Sequence, residues 1–333
     1  MVSDKPQEVR TEKARHVDFG WLRNWERVCG EAEGKSPNTI ALTDHSLGKL
    51  ESFLEGMGHP AKAESVTPEI MRGFTMYLQS GHRPWADHPH AGTRDGRLSD
   101  QTVNCYLRTI RAAWNRWIKE DIVTISPFDK VKMPKVSKKV VPTLSEKQVK
   151  DLLGAIDTST AEGFRDHLLI RIYLDTGCRL GELTGVQIND MDLAGKRMRI
   201  RGKGGKERFV FFGSGVQKGL MKYLKMYRPE PAMPQCDHLF LTRDGSKLTN
   251  QRVQSILKKY GSRARITGVR CSPHTLRHTF CVMWIRNGGN IFDLQQMTGH
   301  SSLEVLRGYV NLAISDVEKA HQKCSPVDNL LGV

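Results

Sequence analysis

The stretch from Pro127 to Pro142 divides this chain. It holds three prolines and a run of lysines with little apolar periodicity, a composition that suits a connector and neither a helix nor a strand. Apolar residues recur at helical spacing on both sides, so 333 residues read as two domains of ordinary size, each able to bury its own core. The expected layout is a polar arm over 1–16, a helical domain over 17–128, a basic linker over 129–142 and a second domain over 143–333.

Before the linker, Ser36-Pro37 and Thr67-Pro68 are helix-start signals, a capping hydroxyl followed by a first-turn proline. Ile40, Leu47, Leu50 and Leu54 follow the first, and Ile70, Phe74 and Leu78 the second. A third helix begins near Ser99 and carries Val103, Leu107, Ile110 and Trp114. The spacing predicts a small helical bundle with basic faces at Arg108, Arg111 and Arg116, interrupted by a long loop over 81–100.

After the linker, Ser145 and Gln148 form a capping box ahead of Val149, Leu152, Leu153 and Ile156. A mostly apolar helix ends at Asp175-Thr176-Gly177. Arg197–Arg201 alternates charge and apolar, residues 202–207 turn, and Arg208–Phe212 returns, which predicts a β-hairpin with Lys203 and Lys206 at its tip. Helices are expected near 214–227, 249–260, 273–286, 290–297 and 302–311, with a short strand near 239–241. The fold class is mainly α, with a small antiparallel sheet in the second domain.

Charge narrows the function. The net charge is +15, and the surplus is clustered: residues 130–150 hold seven Lys and one acid, and residues 195–208 hold seven basic side chains and one acid. Lys258, Lys259, Arg263, Arg265 and Arg270 follow without any acid between them. Like charges gathered this way destabilise a compact state unless a polyanion neutralises them, and duplex DNA is such a partner. No run approaches the ~18 apolar residues of a membrane span. The first sixteen residues have no apolar core of a secretory signal. Seven scattered Cys without CxxC pairing argue against a disulfide scaffold or a Cys-rich metal site. A cytoplasmic protein with no membrane contact, no metal and no cofactor is expected.

Five segments carry the chemistry. Thr176-Gly177-Cys178-Arg179-Leu180-Gly181-Glu182-Leu183 places Arg179 at a helix start, where free N–H groups favour an anion. Ser272-Pro273-His274-Thr275-Leu276-Arg277-His278 sets His274 and Arg277 at i, i+3 on one face, with His278 read as turned to another face and structural. Thr298-Gly299-His300-Ser301-Ser302 ends one helix and opens the next, with Ser301 and Glu304 as a capping box, and Tyr309 follows nine residues after His300. The hairpin tip supplies Lys203. Two guanidinium forks, an ammonium, two imidazoles and a phenol, without a metal-ligating carboxylate set, fit a metal-independent attack on a phosphodiester. A phenol of pKa ~10 needs ~4 kcal/mol to ionise at pH 7, and two arginines at the phosphate offset part of that.

TGCRLGEL, GKGGKER, PHTLRH, TGHSS and GY, in this order and spacing, resemble the catalytic signature of the tyrosine recombinases of phage-integrase and Xer type. The resemblance covers about 143–325 by motif and 17–128 by architecture only, where it implies a SAM-like core-binding domain that closes with the catalytic domain as a clamp around DNA. It implies Tyr309 as nucleophile, forming a 3′-phosphotyrosyl link, with Arg179 and Arg277 clamping the phosphate. It implies His274 exchanging protons with or hydrogen-bonding the phosphate and the phenol, and His300 hydrogen-bonding the phosphate. Lys203 would be the general acid, with Lys206 as the competing candidate, and Glu182 would buttress Arg179. Further DNA contacts are expected from Lys206, Arg208, Arg201, Lys138, Lys139, Arg108 and Arg111.

The family's mode of action implies a homotetramer on two specific double-stranded sites, strand exchange through a Holliday junction, and accessory proteins in some systems. Integration or excision of mobile DNA and Xer-type resolution all fit. The tail with Val327, Leu330 and Leu331 docks either on a neighbouring protomer or on its own domain. Two alternatives stand beside this: a type IB-like topoisomerase that relaxes DNA, and a non-catalytic DNA-binding regulator of the same fold.

Overall fold

The computed structural model describes residues 17–80, 98–135, 142–202, 205–300, 302–313, 321 and 325–331. The chain separates into two compact units, with the division between Lys138 and Lys139. The loop read over 81–100 lies outside the described residues up to position 97, as do the 1–16 arm, Lys138, Lys139 and Lys203.

Among its described residues the first unit has four α-helices, α1 Phe19–Ala32, α2 Pro37–Gly56, α3 Pro68–Gln79 and α4 Asp100–Lys119. Ser36, Thr67 and Ser99 accept from the amide three residues on, so the capping hydroxyls start α2, α3 and α4 where the sequence predicts. Leu47, Leu50, Leu54, Phe74, Leu107 and Ile110 are fully buried in one core with Trp114 and Trp117, whose rings lie 4.8 Å apart. Trp114 satisfies its indole N–H by donating to the Ile125 carbonyl at 3.2 Å. Arg108 and Arg111 are exposed on α4, whereas Arg116 is turned onto Glu26 and Glu33.

The second unit opens with α5 Glu146–Gly154, which carries the expected capping box. Next, α6 Ala161–Thr176 runs through the core with Leu168, Leu169, Ile170, Ile172 and Tyr173 all buried. It stops at Gly177, whose φ of 59° is left-handed and whose missing Cβ would fall 2.2 Å from the Phe280 ring. That turn delivers Arg179 to the start of α7 Leu180–Gly185.

Strands β1 Met191–Asp192, β2 Arg197–Arg201 and β3 Glu207–Phe211 form an antiparallel sheet in the order β1-β2-β3, with Arg199 opposite Phe209. Met198, Ile200 and Val210 point into the core. The hairpin stands where the alternation places it, and β1 was not anticipated because two residues carry no periodic signal. The strand expected near 239–241 is not formed. Leu239, Phe240 and Leu241 are buried there, but of the three only Leu241 makes an isolated bridge, to Lys247, with another at the preceding His238.

Among the described residues the remaining α-helices are α8 Ser214–Lys222, continued by a π-turn Tyr223–Tyr227, α9 Asn250–Arg263, α10 Pro273–Arg286, α11 Ile291–Thr298, α12 Leu303–Ala313 and α13 Pro326–Leu331. Ser302 accepts from the Glu304 amide at 3.0 Å; the capping box read at Ser301 lies outside the described residues. In α13, Val327 and Leu330 are 61% and 83% exposed. No helix among the described residues is long and apolar enough to cross a membrane.

Candidate active site

The C-terminal end of α11 organises the site. A helix leaves its last carbonyls without intrahelical partners and carries a partial negative charge at that end. Three consecutive carbonyls there each accept from a different arginine. Met297 O accepts from Arg208 Nε at 2.8 Å, Thr298 O from Arg277 Nη2 at 2.8 Å, and Gly299 O from Arg179 Nη2 at 2.9 Å. Gly299 makes this approach feasible: its φ is 64°, and a Cβ would lie 3.1 Å from the Arg208 guanidinium carbon.

Glu182 ties two of the three together. Its carboxylate takes a two-pronged pair from Arg208, both contacts at 2.8 Å, and also accepts from Arg179 Nη1 at 3.0 Å and the Arg179 backbone N–H at 2.7 Å. Burial alone would push this carboxyl up, but the Arg208 and Arg179 donors win and hold it at about 2. Glu182→Ala should therefore strand Arg208, whose side chain is only 16% exposed, without its counter-charge. The expected cost is ~3–5 kcal/mol, the penalty for a buried charge that loses its partner. Urea unfolding checks this, and a change under ~1 kcal/mol would mean that Arg208 relaxes to solvent.

Arg277 is 5% exposed. Its Nη1 donates to Gly177 O at 2.6 Å, while Nη2 donates to Thr298 O and faces His300 Nε2 at 3.0 Å. A guanidinium only donates, so His300 Nε2 is the acceptor. The Thr298 hydroxyl gives its hydrogen to Leu294 O and so accepts from His300 Nδ1–H at 2.8 Å. His300 is thus neutral with its proton on Nδ1. Its burial and the nearby Arg277 and Arg179 agree, lowering it to about 4. The Nε–H and second Nη1 hydrogen of Arg277 have no described acceptor. Three guanidinium groups around one carboxylate leave an uncompensated positive charge in a partly dry site, which is what an anionic group with several acceptor oxygens fits.

Tyr309 of α12 is 3% exposed, packed with Phe280, Cys281, Leu294, Met297 and Leu306. Burial raises its phenol to about 12. Its oxygen meets His278 Nδ1 at 2.5 Å. This corrects the reading of His278 as turned away: residues four apart on a helix share a face, so His278 lies beside His274 and Arg277. His274 is exposed and makes no hydrogen bond to another described residue.

The structure therefore brings Arg179, Arg277, His300 and Tyr309 together and adds His278, Arg208 and Glu182. Arg208, expected at DNA, spends its donors on Glu182 and Met297 O. Arg201 is exposed and pairs with Asp190 and Glu207. Lys206 is exposed on the hairpin. Among the described residues no cluster of His, Cys, Asp or Glu is arranged to hold a metal ion. The carbonyl ladder and Glu182–Arg208 pair had no side-chain spacing to reveal them, since their partners are backbone atoms or lie far apart in sequence.

The described sites fall inside known family boundaries. The phage integrase family model matches residues 142–315, and the phage integrase SAM-like domain matches residues 22–133. The chain belongs to the phage integrase family, as a tyrosine recombinase. It is 30% identical over 299 residues to a tyrosine recombinase XerC of Oceanobacillus iheyensis, covering 88% of this chain and 92% of that protein. It is also 30% identical to a tyrosine recombinase XerD of Staphylococcus epidermidis, over 88% and 94% of the two chains. Among solved structures, XerH bound to its palindromic difH substrate after cleavage aligns with TM-score 0.71 and 20% identity, over 92% of this chain and 84% of that one. A lambda integrase tetramer on a Holliday junction aligns with TM-score 0.67 and 14% identity, over 90% and 82%. At these identities the two structures share the fold.

Proposed function

We propose that this protein is a site-specific DNA recombinase that breaks and rejoins strands through a phosphotyrosine at Tyr309, without a metal. The observation that carries the reading is a buried phenol and two arginine forks gathered around the end of one helix, in a family whose relatives are named recombinases. Arg179 and Arg277 grip the non-bridging oxygens of the scissile phosphate, whose charge answers the surplus around Glu182. As Tyr309 attacks, negative charge grows on phosphorus and these fixed donors stabilise it in place. Lys203, with Lys206 as its rival, protonates the departing 5′-oxygen. Once Arg277 engages the phosphate and no longer donates to Nε2, His300 hydrogen-bonds the phosphate through Nε2–H, its proton moved from Nδ1 to Nε2. His274, exposed and without a described partner, remains available to the incoming DNA.

The covalent link conserves the energy of the broken bond, so a 5′-hydroxyl from a second duplex reseals it without ATP. The working unit is a homotetramer on two specific duplex sites in the cytoplasm, passing through a Holliday junction, as in movement of mobile DNA or resolution of joined replicons. Accessory proteins set which of these occurs by choosing the sites brought together. Tail side chains Val327 and Leu330, exposed on their own unit, suit docking on a neighbouring protomer. Exposed Arg108, Arg111, Arg201 and Lys206, with Lys138 and Lys139 of the linker, serve phosphate contacts. Neither topoisomerase nor non-catalytic regulator is favoured, since the named relatives are recombinases. The test is a pair of plasmids, each bearing the cognate site: joined plasmids are expected, and relaxation without joined products would point to the topoisomerase.

A further inference from the structure

We propose that His278 is the proton acceptor of the cleavage step, its Nδ1 taking the Tyr309 hydroxyl proton as the phenol oxygen bonds to phosphorus. The inference rests on Tyr309 being the nucleophile and goes beyond it by naming where its proton goes.

The contact between His278 Nδ1 and the Tyr309 oxygen has a direction. Tyr309 is 3% exposed, and the phenol has no other hydrogen-bond partner among the described residues. If the imidazole donated, the phenol hydrogen would be left in the core with no described acceptor, a costly arrangement for a buried hydroxyl. The phenol therefore donates, and neutral His278 carries its own proton on Nε2.

The neighbours are unsuited to the task. Both His300 nitrogens are engaged, Nε2 by Arg277 and Nδ1 by Thr298, and its ring centroid is 6.3 Å from that of Tyr309. His274 makes no contact with the phenol among the described residues. The Cys281 thiol near Tyr309 is kept protonated by burial and offers no base.

The groups that bear on His278 are His274 and Arg277 from its own helix, His300 from the α11–α12 turn and Tyr309 from α12. Burial, His274 and Arg277 hold the imidazole neutral at about 4, a weak base while the site is empty. A phosphate on Arg277 brings compensating negative charge and makes an imidazolium tolerable, so the base gains strength when DNA is in place. The step balances. The Tyr309 O–H bond breaks and its proton goes to the Nδ1 lone pair. The phenol oxygen forms the bond to phosphorus, and the phosphorus–O5′ bond breaks with that oxygen taking a proton from the proposed lysine acid. Religation reverses both transfers.

The test is single-turnover cleavage of a nicked suicide duplex by the full chain, with Tyr or a difluorotyrosine of greater acidity at position 309. His278→Ala removes the acceptor, while His278→Gln keeps a hydrogen-bonding oxygen that takes no proton. Both should cleave ~10²–10⁴-fold more slowly with near-normal DNA affinity. Difluorotyrosine should recover at least ~10-fold in both variants and change the wild type little, because an acidic phenol needs less help. Wild-type rates in His278→Ala would overturn the proposal, as would slow cleavage that difluorotyrosine leaves unrestored, the mark of a structural contact. An adduct that persists in Tyr309→Phe would overturn the nucleophile itself, and His278 with it.

Discussion

Tyr309→Phe should form no covalent complex with a nicked suicide duplex while retaining nearly all of its affinity for the same DNA. The ring packs against Phe280, Cys281, Leu294, Met297 and Leu306, and phenylalanine fills the same volume, so the catalytic unit keeps its core. What is lost is the oxygen and its hydrogen bond to His278, worth ~1 kcal/mol in stability. The chemical loss is total because the neighbouring groups are tied up or inert: Glu182 is held by Arg208 and Arg179, Thr298 by Leu294 O and His300, and the Cys281 thiol is kept protonated by burial. Gel shift and denaturing-gel trapping, run on one preparation, separate the two effects. A Tyr309→Phe protein that still traps DNA would remove the phenol from its role.

Arg277→Ala should lose ~10²–10³-fold in cleavage, the usual cost of removing one donor that stabilises charge in the transition state. It should also lose stability, because Gly177 O and Thr298 O surrender their donor at the junction of α6, α10 and α11. Each carbonyl left without a partner costs ~1–3 kcal/mol, partly offset by no longer burying a lone cation. Arg277→Lys divides these effects. A lysine restores the charge but cannot span both carbonyls and still present two parallel donors to a phosphate. Its cleavage should remain close to that of Arg277→Ala while DNA affinity stays nearer the wild type. Rapid-quench cleavage with thermal unfolding checks the pair, and near-normal cleavage by Arg277→Lys would mean that charge alone suffices.

Much of the architecture was legible because it is written in local rules. Ser36, Thr67, Ser99 and Ser145 start helices through their own hydroxyls, and Met198 and Ile200 alternate with Arg197, Arg199 and Arg201 as a half-buried strand must. The strand expected at 239–241 failed because an apolar run shows burial and not pairing, and its neighbours supply bridges in place of a ladder. At the site, Arg179, Arg277, His300 and Tyr309 stood out by residue type and order. His278 is legible too, since i+4 follows from helix geometry, although the i, i+3 pair of His274 and Arg277 carries the more visible spacing. Arg208 was misplaced for a different reason. Within the basic run of 195–208 it is indistinguishable from a surface arginine, and its partner Glu182 is 26 positions away. The three carbonyls at 297–299 have no side-chain signature at all, and only Gly299 hints at the turn that aims them.

The most direct measurement is the identity of the bonded residue. Wild-type protein is trapped on a nicked cognate duplex in EDTA, digested with nuclease and protease, and the peptide bearing the nucleotide remnant is sequenced by mass spectrometry. The remnant should sit on the oxygen of Tyr309, with the chelator making no difference. A remnant on any other side chain, or trapping that disappears with the chelator, would contradict the mechanism.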